Sequence, residues 1–169
     1  MIVIRFVQYD DLAGIAISAM SYGHWATHVD AVMPDGDWVG AHVVGGVTRH
    51  KPDYDRASRV QQKFVALPCD DWTAAKFYNF IEAQIGKPYD LTAIAGFVAH
   101  RDWSNDAHWF CSELPAKGLI VCSMLAPVAA RLSKITPRDL ILILSGINSG
   151  INELENVPSW TKVPLVPVI

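Results

Sequence analysis

Two apolar, strand-length runs, Thr27 to Met33 and Trp38 to Val44, flank the tetrapeptide Pro34-Asp35-Gly36-Asp37. Proline, aspartate and glycine side by side form a tight turn. Strands joined by so short a connection pair antiparallel, so residues 27–44 are predicted to form a hairpin, ended by Gly45-Gly46. Residues 1–9 alternate like another strand, and Val60 to Leu67 is a third strand segment, closed by Pro68. Sequential strands favour an antiparallel sheet with helices packed on it, an α+β fold.

Helical signals lie between and after these strands. Residues 10–22 read as a short apolar helix opened by Asp10 or Asp11. The clearest helix is 72–85, capped by Asp70 or Asp71. Its apolar stripe is Phe77, Phe80, Ile81 and Ile85, with Gly86 to end it and Pro88 beyond. Residues 112–122 are predicted helical. Pro115 requires that helix to start no earlier than about Ser112, or else to bend. Residues 47–59 read as a polar loop containing Tyr54, residues 89–108 as mixed, 140–144 as a short apolar segment, and the tail from Pro158 as extended. No repeat or long linker divides the chain, which is expected to form one domain over residues 1–169.

Composition removes several classes of function. A length of 169 residues and 51% hydrophobic content suit a domain with a real core. A net charge of −3 without a Lys/Arg cluster argues against nucleic acid. No apolar run approaches the roughly 20 residues of a membrane span. Three cysteines, an odd number, fit a reducing compartment or a working thiol better than a disulfide framework. The start lacks the basic and apolar regions of a signal peptide. Cytoplasm is therefore the default location, with phage association or another export route as alternatives.

The chemistry centres on Trp109-Phe110-Cys111-Ser112-Glu113-Leu114, where a polar loop meets a predicted helix start. Partial positive charge and unpaired N–H groups there favour a thiolate and can receive an oxyanion. Glu113 reads as a structural carboxylate at the helix start. His28, at the beginning of a strand, is a candidate general base for such a thiol.

Several segments resemble the NlpC-like papain-fold hydrolases. His28-Val29-Asp30-Ala31-Val32, Pro34-Asp35-Gly36 and Val39 to Val47 resemble the "SHVGIV … DG … EA … GV" block. Gly86-Lys87-Pro88-Tyr89-Asp90 resembles the "G-x-P-Y-D" turn, Phe110 to Leu114 the "CSEL" nucleophile motif, and Ile135 to Leu140 the "ITPxDL" segment. The histidine block precedes the cysteine block, as in the circularly permuted, YiiX-like branch. The resemblance covers about residues 27 to 144.

It implies Cys111 as nucleophile and His28 as base, with Tyr89 and Ser112 binding the oxyanion or substrate. Relatives often carry Glu where this chain has Gly40, and Gly where it has Asp30. Thr27 stands where they usually have Ser. His42, two residues beyond Gly40, is the expected third catalytic residue. Asp30 is the weaker candidate, and a bare dyad is also open.

The resemblance points to a cysteine peptidase or amidase acting on a peptide, a peptidoglycan fragment or another acyl substrate. No cofactor and no metal are expected. Two alternatives stand beside it. One is a non-catalytic phage or bacterial assembly module that retains the fold. The other is a zinc hydrolase using His24 with His28 and His108 with Cys111, pairs spaced for metal ligation.

Overall fold

The computed structural model describes residues 1–90, 108–126, 135–147 and 152–154. Those residues form an α+β structure. Its strands are β1 (Ile2–Tyr9), β2 (His28–Val32), β3 (Trp38–His42), β4 (Gly46–His50), β5 (Arg59–Leu67) and β6 (Asn152–Leu154). Its helices are α1 (Leu12–Met20), α2 (Asp71–Glu82), α3 (Glu113–Val121) and α4 (Pro137–Ile147). The strands make one sheet in the order β4-β3-β2-β1-β5-β6, and every neighbouring pair is antiparallel.

Strand alternation gives the sheet two buried faces. Ile2, Ile4, Phe6, Val29, Ala31, Val39 and Ala41 point to the main core. There they meet Phe77 and Ile81 of α2, Leu114 and Leu119 of α3, and Leu140 and Leu144 of α4. Val3, Val32, Trp38 and Phe64 form a smaller cluster on the other face. Burial of each large apolar side chain contributes roughly 1.5–3 kcal/mol. Helices α2 and α3 approach closely because residue 118 is glycine: a Cβ there would stand 2.8 Å from the Phe77 ring.

The local signals act where expected at the helix starts. The Asp11 carboxylate accepts from Gly14 N at 2.7 Å and caps α1. Asp70 accepts from Thr73 N at 2.7 Å and caps α2. Helix α3 begins at Glu113, so Pro115 lies in its first turn, where its missing N–H costs nothing. The α2 helix ends at Glu82, short of Ile85, which is 37% exposed and does not extend the buried stripe.

Two segments differ from the sequence reading. Residues 46–50 are a strand, not part of a polar loop, because Gly45 and Gly46 take positive φ (94° and 71°) and turn the chain back along β3. The apolar segment 140–144 belongs to the longer helix α4. Thr136 and Asp139 form a reciprocal capping box at its start: Asp139 N donates to Thr136 Oγ1 at 3.1 Å, and Thr136 N donates to Asp139 Oδ2 at 3.0 Å. Residues 91–107 and the tail from Pro158 lie outside the described residues.

No helix among the described residues is long and apolar enough to cross a membrane.

Candidate active site

The site forms where β2 begins and α3 begins. Phe110 and Cys111 immediately precede α3, and both are fully buried. Turn geometry brings Tyr89 beside them. Gly86, with φ at 89°, turns the chain after α2. Gly86 N donates to Val47 O, and Val47 N to Lys87 O, both at 2.8 Å, so the turn is pinned to β4. A Cβ on Gly46 would lie 2.2 Å from the Lys87 carbonyl oxygen, so this contact requires glycine. Trp109 N then donates to Pro88 O and Asp90 N to Trp109 O, each at 3.0 Å, which lays Tyr89 alongside the segment leading to Cys111.

Cys111 lies beside both His28 and Tyr89, close enough for its charge to act on each. The tertiary structure thus joins three of the residues singled out by sequence. Burial opposes charge on His28, but the neighbouring Asp30 carboxylate, with Cys111, outweighs it and pushes the imidazole up to about 10. Burial, followed by the charge on Cys111, raises the Tyr89 phenol far above its usual range, so it stays a neutral donor.

The far side of His28 corrects the expectation for His42. His28 Nε2 bonds Asp30 Oδ1 at 2.8 Å, leaving Nδ1 for the thiol. His42 Nε2 is 3.6 Å from the same carboxylate oxygen, and its ring lies beside His28, tilted by 31° with centroids 4.5 Å apart. Burial, reinforced by the charge on His28, lowers His42 to about 3. The group bonded to His28 Nε2 is therefore Asp30, with His42 beside it. Burial would raise the Asp30 carboxyl, but His28, His42 and Arg5 hold it well below the ordinary carboxylate range.

Ser112 also departs from the expected role. Its hydroxyl is fully buried and donates to the Ile135 carbonyl, tying the start of α3 to the segment before α4. That leaves the hydroxyl unavailable for substrate.

Arg5 is the participant that sequence reasoning missed. Fully buried on β1, it donates from NH1 to Asp30 Oδ2 at 2.8 Å, from NH2 to Asp55 Oδ2 at 2.7 Å and from Nε to Gln62 Oε1 at 2.8 Å. Its guanidinium carbon lies 3.8 Å from the centroid of the Trp38 ring. The signal was present: one arginine inside the apolar strand Ile2-Val3-Ile4-Arg5-Phe6-Val7 must find carboxylates to remain buried.

A cavity of about 480 Å³ opens on this site, with His28, His42, Tyr54, Tyr89 and Thr27 in its walls. Among the described residues, the side chains that converge closely enough to share an ion are His28, Asp30 and His42. The pairs proposed from spacing, His24 with His28 and His108 with Cys111, do not form such a group there. His–Asp–Arg behind a thiol–imidazole pair can generate a nucleophile, orient its base and supply oxyanion donors. Compared with protein-family models, curated proteins and solved structures, the chain matches none.

Proposed function

We propose that this chain is a cysteine hydrolase cleaving an amide or related acyl bond, with the circularly permuted, NlpC-like papain fold that its motifs resemble. The observation that carries the reading is the junction of α3 with β2: a thiol at a helix start beside both His28 and Tyr89, with Asp30 bonded to Nε2 of His28.

In this mechanism His28 takes the Cys111 proton, giving a thiolate–imidazolium pair. The sulfur attacks the substrate carbonyl, and the carbonyl π electrons move to oxygen. The Cys111 backbone N–H and the Tyr89 hydroxyl stabilise that oxyanion. Collapse expels the leaving group as His28 gives it a proton, leaving a thioester on Cys111. His28 then activates water, which releases the acid and regenerates the thiol. Asp30 keeps the ring in one tautomer and offsets the imidazolium charge; Arg5 holds the carboxylate from behind.

The substrates that fit this chemistry are peptides, peptidoglycan peptides and other acyl groups, lipid acyl groups among them. One ground for a non-catalytic module is the absence of an acidic residue at Gly40, the other the apolar surface that 51% hydrophobic content implies. Asp30 supplies the carboxylate that Gly40 lacks, which favours the catalytic reading. Hydrolysis across a panel of muropeptides, acyl-peptides and lipid esters tests it. Turnover of one class, abolished in Cys111→Ala, is the expected result. Turnover unchanged in Cys111→Ala would end the proposal.

A further inference from the structure

One potential ligand atom from each of His28, Asp30 and His42 lies within 4.8 Å of the other two. The carboxylate oxygen sits between the imidazoles, 2.8 Å from His28 and 3.6 Å from His42. In a tetrahedral site with bonds of about 2.0–2.2 Å, ligand atoms stand about 3.3–3.6 Å apart. The two separations to the carboxylate bracket that range and the third is within 4.8 Å, so side-chain movements of about an ångström would admit an ion. We infer that His28, Asp30 and His42 form a binding site for a divalent transition metal, zinc above all, and that the bound ion holds catalysis off.

Two imidazoles and one carboxylate are a donor set suited to zinc with an open fourth position. Both histidines line the 480 Å³ cavity, which gives the ion a route and leaves room for a water at that position. Arg5 binds the other carboxylate oxygen, Oδ2, and so orients Oδ1 toward the imidazoles as an outer-shell partner would. The Arg5 charge is shared between Asp30 and Asp55, so it does not face the site uncompensated.

Binding replaces the proton between His28 Nε2 and Asp30 Oδ1, which passes to solvent. With Nε2 on the metal, the proton that the thiolate–imidazolium pair had taken from Cys111 stays on Nδ1. Losing that proton would leave an imidazolate, so His28 can no longer give and take a proton through the cycle. This inhibitory consequence rests on the hydrolase reading; the binding does not.

The test is a calorimetric titration of the chelator-treated full chain with zinc chloride alone, repeated on His42→Ala and Cys111→Ser, with circular dichroism to verify folding. One ion per chain is expected, bound at least tenfold more weakly by His42→Ala and within threefold of wild type by Cys111→Ser. No stoichiometric binding, or binding that survives His42→Ala, overturns the site. Binding lost in Cys111→Ser would place the ion on the thiol–imidazole pair instead and equally overturn it. Zinc should also cut turnover of an active substrate at least tenfold, reversibly with chelator. Binding without that loss overturns the inhibitory half. Absence of turnover with and without zinc would count against the hydrolase reading, while the titration still decides the site.

Discussion

Asp30 and Gly40 face each other across the β2–β3 pair, and the Asp30 carboxylate occupies the space that a side chain at 40 would fill. A Cβ on residue 40 would stand 2.0 Å from Asp30 Oδ1 and 3.2 Å from His28 Nε2. The carboxylate and the glycine are therefore complementary: one strand supplies the acid, and the other leaves it room.

A side chain at 40 would therefore collide with the carboxylate. Gly40→Ala should displace Asp30 and lower kcat/KM by about tenfold or more, roughly 1.4 kcal/mol of barrier. Gly40→Glu alone should do worse, and Asp30→Gly with Gly40→Glu should recover part of the loss by moving the acid one strand over. Steady-state kinetics on the four proteins check this; equal rates in wild type and Gly40→Ala would show that the carboxylate position is unimportant.

The two candidates for the orienting role separate cleanly by mutation. Asp30→Asn keeps the size but removes the charge beside His28 and Arg5, and should cost at least about a hundredfold in kcat, roughly 2.7 kcal/mol. His42→Ala should cost less, since the His42 ring lies tilted against His28 but does not hold its far nitrogen. A larger loss in His42→Ala than in Asp30→Asn would return the role to His42.

Tyr89→Phe keeps the buried ring against Phe110, with centroids 5.9 Å apart, and removes only the hydroxyl beside Cys111. We expect kcat to fall about 10- to 100-fold, within the range of a lost oxyanion donor, with KM and thermal stability little changed. An unaltered kcat would confine Tyr89 to packing.

Thiol reactivity should rank Cys111 ahead of Cys122. Burial raises the Cys122 thiol above its ordinary value, and its Sγ donates to the Leu119 carbonyl at 3.4 Å. A raised thiol stays protonated to higher pH, so Cys122 should be alkylated slowly at pH 7 and gain rate only beyond the usual thiol range near 8.5. Cys111 has His28 to accept its proton and should be labelled first by limiting iodoacetamide, through the cavity walled by His28 and Tyr89. Peptide mass spectrometry across a pH series reads both, and faster labelling of Cys122 at pH 7 would count against the thiol–imidazole pair.

The sequence by itself determined what short-range physics controls. Pro34 to Asp37 committed β2 and β3 to antiparallel pairing, Asp11 and Asp70 set the starts of α1 and α2, and Pro115 limited where α3 could begin. Cys111 and His28 were singled out by a thiol at a predicted helix start, an imidazole at a predicted strand start and the motif resemblance around them, and the fold brings the two together. The tertiary structure alone decided which partners those groups took. Residues 46–50 became a strand because β3 and the Gly86–Lys87 turn supply hydrogen bonds to it. Ser112 turned inward because the Ile135 carbonyl lay within its reach. Asp30 displaced His42 as the partner of His28 because register places Arg5 on one side of it and the missing Cβ of Gly40 on the other. Alternation assigns a residue to a face of a strand. The choice between two polar groups on that face depends on cross-strand space and charge, which come from residues distant in the chain.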